Sequence, residues 1–335
     1  MGQIGVMKTR TDVVGAGVRL AAYVEGRPLD SGAPVVLLLH GYPDDHTVWD
    51  GVAGALAADH CVLRYDVRGA GASERPESVA DYDLALLADD LFAVLEALVP
   101  DGRPVHLVGH DWGGIQLWEP VCDARAAGRI ASFTSVSGPC LDHAGLAMRG
   151  PAFRSPGKLF AQLRRSWYVG FFQLPGVAPA LWRGKVGAGF PARLAKTEGI
   201  DADSLSDGLV EDGVHGIKLY RANMRNRLTA PRDRRTDVPT LLISPADDDY
   251  VTPLLMDAAE GFVSTLYRRD IAGGPWIVRP PPTRIARFPP DTLRHVPRAP
   301  SASLLRPRVH PTHPHPRRLS PLPGPRSAIA DAAPL

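Results

Sequence analysis

Gly109-His110-Asp111-Trp112-Gly113-Gly114 is the stretch on which the reading of this chain turns. It follows the apolar run Pro104–Val108 and precedes a helical pattern from Ile115 to Arg125. A strand, a sharp turn and a helix are therefore expected, the arrangement that holds a reactive side chain at the tip of a strained bend. Gly109, Gly113 and Gly114 suit such a bend, because strand and helix backbones nearly touch there. The tip residue is Asp111. A carboxylate is already ionised near neutral pH, so it can attack an electrophilic sp3 carbon without a base. The alternative is that Asp111 only caps the following helix.

Apolar runs and helical patterns alternate along much of the chain, which predicts a mostly parallel sheet covered on both faces, an α/β fold. Residues 12–25 read as an antiparallel hairpin at the sheet edge. Strands are expected at Val35–Leu39, Cys61–Tyr65, Ile130–Val136, Val238–Ser244 and Ser264–Ile271, and helices at Thr47–Ala58 and Leu84–Leu98. Between about 141 and 235 the alternation stops, and an Arg-, Trp- and Phe-rich segment reads as a mainly helical insertion.

The net charge of +2 argues against a dedicated nucleic-acid binder. The average conceals a split. From Pro280 onward there are nine Arg, no Lys and two acidic residues, which leaves 29 basic and 34 acidic residues before that point. Fifteen of the 33 prolines lie in 280–335, with His310, His313 and His315 between prolines, so 289–335 is expected to be a disordered low-complexity tail. The abrupt change after Phe288 is the kind a shifted reading frame leaves in a GC-rich gene. Cys61, Cys122 and Cys140 are odd in number and lack metal-ligand spacing, so a reduced, cytoplasmic protein without a metal is expected. No signal peptide, membrane span or membrane partner is indicated, no cofactor is implied, and the oligomeric state is left open.

Three motifs carry a resemblance to a known family. His40-Gly41-Tyr42-Pro43 follows the Val35–Leu39 run, Asp66-Val-Arg-Gly69-Ala-Gly71-Ala-Ser73 follows Cys61–Tyr65, and the Asp111 turn comes third. In this order they resemble the α/β-hydrolases of the epoxide hydrolase and haloalkane dehalogenase group over residues 12–288. The resemblance implies a core formed by 12–140 and 236–288 and a helical cap over 141–235. It implies that Asp111 is the nucleophile, that the Tyr42 and Trp112 backbone N–H groups form an oxyanion hole, and that the substrate is a small apolar molecule such as an epoxide. His40, Gly41 and Pro43 shape the loop, while Asp66–Ser73 is read as structural.

Two tyrosines resemble the ring-opening pair of epoxide hydrolases: Tyr168 in Ser166-Trp-Tyr-Val-Gly-Phe-Phe-Gln173 and Tyr220 in Leu219-Tyr-Arg-Ala-Asn223. Either could instead simply pack within a helical cap. Haloalkane dehalogenases typically carry Asn where this chain has Tyr42, and fluoroacetate dehalogenases Arg where it has Trp112. Both departures favour an epoxide. The charge-relay acid falls within Asp247-Asp248-Asp249, where Asp248 fits the register best and its neighbours stay open. The family's general base stands in a Gly-His-Trp-like segment, and the matching stretch here is Gly273-Gly274-Pro275-Trp276. Proline carries no exchangeable side-chain proton. General-base help is worth about 10²–10⁴-fold, so the expected enzyme forms its ester and stalls. A ligand-binding protein without activity and a haloalkane dehalogenase-like hydrolase are the alternative expectations. His295, the next His along, falls in the Pro-rich tail.

Overall fold

The computed structural model describes residues 8–150 and 156–279. The expected tail and His295 lie outside the described residues, as does Met1–Met7.

Eight strands, β1 (Thr9–Val14), β2 (Arg19–Gly26), β3 (Val35–Leu39), β4 (Cys61–Tyr65), β5 (Val105–His110), β6 (Ile130–Val136), β7 (Thr240–Pro245) and β8 (Leu266–Ile271), form one sheet. The spatial order is β1-β2-β4-β3-β5-β6-β7-β8. β1 and β2 pair antiparallel at the edge, β2 meets β4 antiparallel, and every later pairing is parallel. Helices α1 (Asp50–Leu56), α2 (Leu84–Leu98) and α3 (Trp112–Val121) connect the early strands. Then come α4 (Leu141–Met148), α5 (Pro156–Arg165), α6 (Trp167–Phe172), α7 (Val177–Leu181), α8 (Gly187–Glu198) and α9 (Leu209–Thr229), all between β6 and β7. α10 (Pro253–Asp257) precedes β8.

β3 is buried at every position, which is why it reads as an unbroken apolar run rather than an alternation. Val36 and Leu38 join one core with Trp49, Trp112 and Tyr220, whereas Val35, Leu37 and Leu39 join the other with Leu91, Leu95 and Leu117. The parallel pairs put the ends of β3, β5, β6, β7 and β8 on one edge of the sheet. β3 has β4 on one side and β5 on the other, so the chain reverses its direction of travel there. Ligands of open α/β sheets bind at that point, beyond the carboxyl ends of the strands.

Boundaries differ from the periodic pattern where local chemistry intervenes. The helix expected at Thr47–Ala58 begins as a 3-10 turn, His46–Trp49, because the Asp45 side chain accepts from Thr47 N–H at 2.9 Å and fixes the entry. The helix expected to reach Arg125 stops at Val121, just after Pro120, and a separate 3-10 turn capped by Asp123 follows.

Candidate active site

Asp111 sits at the bend between β5 and α3 with φ 49° and ψ −121°, a region that side-chain-bearing residues avoid. Holding it there costs about 1–3 kcal/mol, which the packing of strand and helix must offset. The fit depends on Gly113: a methyl group there would overlap the Leu39 and His40 carbonyl oxygens. Gly113→Ala is expected to destabilise the protein by about 1–3 kcal/mol, read as a lower urea midpoint. An unchanged midpoint would mean that the turn is looser than drawn.

The Asp111 side chain makes no capping bond to α3. It points instead at the loop after β3, where Oδ2 accepts the Tyr42 backbone N–H at 2.8 Å. The Trp112 N–H also stabilises the carboxylate. Gly41 permits this approach, since a Cβ there would lie 2.6 Å from Asp111 Oδ2. Burial nevertheless dominates and pushes the Asp111 carboxyl up to about 7, against the two N–H groups and helped by the charges of Asp248 and Asp44. His40 is wholly buried; its Nε2 accepts the Val67 N–H at 3.0 Å, which ties the loop after β3 to the loop after β4. Asp66 is a hub there, accepting from Tyr23 Oη, His46 N and Ala72 N at 3.1, 3.0 and 2.9 Å.

An aromatic wall from the β6–β7 helices covers Asp111. The Tyr220 ring lies 4.8 Å from that of Trp112 and 5.3 Å from that of Tyr42; the Tyr168 ring lies 5.8 Å from that of Tyr220. Phe172 packs on Tyr220 at 4.9 Å. Burial foremost, and the Asp111 charge with it, holds the Tyr168 and Tyr220 phenols well above their usual range, so both stay protonated and able to donate. Asn223, one helical turn beyond Tyr220, fixes α9 to the core by accepting Leu84 N–H at 3.0 Å and donating to Tyr82 O at 2.8 Å. Tyr42, Trp112, Asp111, Tyr168 and Tyr220 are thus brought together from four separate stretches of chain.

Asp248 follows β7 and is buried. Its Oδ1 accepts Tyr250 N–H at 2.8 Å and Val251 N–H at 2.9 Å; its Oδ2 is buried, and the Ser137 hydroxyl stands beside the carboxylate and stabilises it. Asp247 and Asp249 are exposed. Desolvation raises the Asp248 pKa, and these two N–H groups only partly counter it. Pro275 follows β8 and is buried; it brings no proton-transfer group to Asp248.

Sequence reading missed the residues that tie this last loop down. His110 Nε2 lies 2.7 Å from Pro275 O, and a carbonyl can only accept, so Nε2 carries the proton. Burial lowers the His110 pKa and keeps the ring neutral, with Nδ1 buried and unbonded. Trp276 Nε1 donates to Asp44 Oδ2 at 2.8 Å, and Arg279 pairs with Asp44 at 3.5 Å. An acid directly after the Tyr42-Pro43 pair was the available signal.

The α/β hydrolase fold family matches residues 34–176. Epoxide hydrolase A of Mycobacterium tuberculosis is 32% identical over 297 residues, which cover 77% of this chain and 88% of that protein. The chain belongs to the α/β-hydrolase family, in its epoxide hydrolase-like group. The probable oxidoreductase EphD of M. tuberculosis is 39% identical over 269 residues, but the chain spans only 45% of its length. Among solved structures, the Bacillus megaterium epoxide hydrolase in complex with an inhibitor shares the fold, with a TM-score of 0.67 at 20% identity over 83% of this chain and 98% of that one. Among the described residues no helix is long and apolar enough to cross a membrane.

Proposed function

We propose that this protein opens small apolar epoxides by forming a covalent ester on Asp111, and that release of the diol is slow because Pro275 stands where a base is needed. The observation that carries the reading is the buried Asp111 carboxylate, bonded to Tyr42 N–H at 2.8 Å beneath the Tyr168 and Tyr220 pair. The Asp111 oxygen attacks an epoxide carbon, the C–O bond of the ring breaks, and the phenols of Tyr168 and Tyr220 donate to the departing oxygen. Hydrolysis would then require water to attack the ester carbonyl, whose oxygen already faces the Tyr42 and Trp112 N–H groups. Those N–H groups would stabilise the oxyanion. Water remains a poor nucleophile there without a proton acceptor. Residues 141–235 act as the cap, with core segments 12–140 and 236–288. The three free cysteines suit a reducing cytoplasm. The oxidoreductase activity in the name of the longer mycobacterial relative is not carried over, because the chain spans 45% of that protein.

Intact-protein mass spectrometry after incubation with a panel of epoxides tests this. A persistent mass increase equal to one epoxide, mapped to the peptide containing Asp111, is expected. Neither adduct nor diol from any member would sink the proposal and favour a ligand-binding protein without activity, the second reading that Pro275 supports. Adduct formation should accelerate as pH rises through about 7, because only the ionised Asp111 attacks. Tyr220→Phe should slow it by about 10²-fold, with a smaller loss from Tyr168→Phe, whose ring lies farther from Trp112. Equal rates in wild type and both variants would assign the tyrosines to packing alone.

A further inference from the structure

The helices between β6 and β7 have an inner and an outer side. Tyr168 and Phe172, one helical turn apart on α6, turn inward and pack on Tyr220. Trp167 stands one residue earlier and is 68% exposed. The next turn of chain repeats the arrangement: Ala178 and Trp182 are buried, while Val177 and Leu181, each one residue earlier, are exposed. Phe160 on α5, Leu174 before α7 and Val186 before α8 are exposed as well. α5 packs on α6 and α6 on α7, and both α6 and α7 rest on α9. Their outer surfaces therefore adjoin on the side away from α9. Among the described residues, the one other large apolar side chain this exposed is Val14, on the edge strand β1. Apolar surface gathered in this way marks a contact site.

The charge on the same stretch says what the contact is with. No acidic residue stands between Asp142 and Glu198, whereas Arg164, Arg183, Lys185, Arg193 and Lys196 in that interval are exposed. Arg183 meets Glu211 at 3.4 Å, an exposed pair of little strength. The chain before Pro280 nevertheless has an acidic surplus, so the basic character is local to this face. A second copy applied to the same face would set like charges together. The stretch after Pro280, with nine Arg against two acids, carries the same sign and is no better matched. Aromatic and aliphatic side chains interspersed with Arg and Lys suit an anionic lipid surface instead. There Trp settles at the boundary of headgroups and acyl chains, and the bases meet the phosphates. The absence of a span speaks only against crossing the bilayer; an interfacial contact needs none.

We propose that the outer face of α5, α6, α7 and the 182–186 turn docks on an anionic membrane surface. Phe160 and Trp167 enter the headgroup layer, and the exposed Arg and Lys side chains pair with lipid phosphates. The contact is independent of the chemistry at Asp111, because it uses the side of α6 opposite to Tyr168 and Phe172. Trp167 reports on it directly. The other five of the six tryptophans are at most 8% exposed, so a change of emission on meeting lipid belongs to Trp167.

Sedimentation of the full chain with vesicles of phosphatidylcholine mixed with phosphatidylglycerol reads the binding, and tryptophan emission reads which face is used. Binding with a blue shift is expected, weakened by added salt and much reduced on phosphatidylcholine alone. Phe160→Ser/Trp167→Ser, two exposed changes that leave the core untouched, should lower partitioning by about tenfold or more. Arg164→Gln/Lys185→Gln should lower it by about tenfold as well, and both variants should keep the parent's circular dichroism. A full chain that stays in solution beside the mixed vesicles overturns the proposal. Sedimentation without an emission shift, or equal in both variants, assigns binding to the Arg-rich C-terminal stretch and overturns it too. A concentration-dependent dimer abolished by Trp167→Ser would make this face an interface between copies, with the same consequence. None of these outcomes bears on the ester proposed at Asp111.

Discussion

Asp111→Asn abolishes covalent capture of epoxides and at the same time makes the protein more stable, by an amount that grows with pH. The first half follows from losing the nucleophilic carboxylate oxygen. The second follows from burial, which lifts the Asp111 pKa to about 7 from the usual 3.9 or so. Between about pH 4 and 7 the folded state binds a proton that the unfolded chain has released, so stability falls as pH rises through that interval and stays low above it. That rise corresponds to at most about 4 kcal/mol, and relaxation of the site should leave about 2–4 kcal/mol at pH 8. Asparagine removes the charge, and its Oδ1 can still accept the Tyr42 N–H. Urea denaturation of both proteins at pH 5 and pH 8 measures this. The advantage of the variant should be larger at pH 8. An advantage equal at both values would show that Asp111 is not strongly desolvated, and an adduct on the variant would remove it from the chemistry altogether.

The strands were legible because their burial leaves nothing but apolar side chains at most positions. Val35–Leu39, Cys61–Tyr65 and Ile130–Val136 coincide with their apolar runs to the residue. The turn at Asp111 was legible because close contact between Leu39 O and Gly113 admits only glycine, a constraint visible in the letters themselves. Long-range polar pairing was not. His110 and Pro275 are 165 positions apart, and Asp44 and Trp276 are 232 apart, so no local period links them. The same limit applies to the cleft that Glu198, at the end of α8, lines together with residues 246–249 after β7 and 272–274 after β8. The helices between β6 and β7 gave only a composition. Gly176, with φ 76°, and the irregular 182–186 turn break them into short pieces that blur any 3.6-residue stripe.

Those long-range contacts make the most demanding prediction specific. Pro275→His should convert stalled capture into turnover, with diol release rising by about 10²–10⁴-fold, the usual worth of a placed general base. The anchors of residue 275 are main-chain and neighbouring-residue contacts: Pro275 O to His110 Nε2, and Trp276 Nε1 to Asp44. Both survive a change of the side chain. Gly273 and Gly274 line the same cleft as Asp248, whose carboxylate, beside the Ser137 hydroxyl, would turn to accept an imidazole N–H. The pair would place the remaining nitrogen to take a proton from water, with the charge on Asp248 raising its basicity. A single-turnover experiment separates the steps. The rate of adduct formation should match that of the parent, because Asp111 and the tyrosines are untouched, while adduct decay should accelerate. Fast adduct formation with unchanged decay, in a folded variant, would show that the loop after β8 does not bring residue 275 to the ester, and that the protein lacks more than one side chain of a working hydrolase.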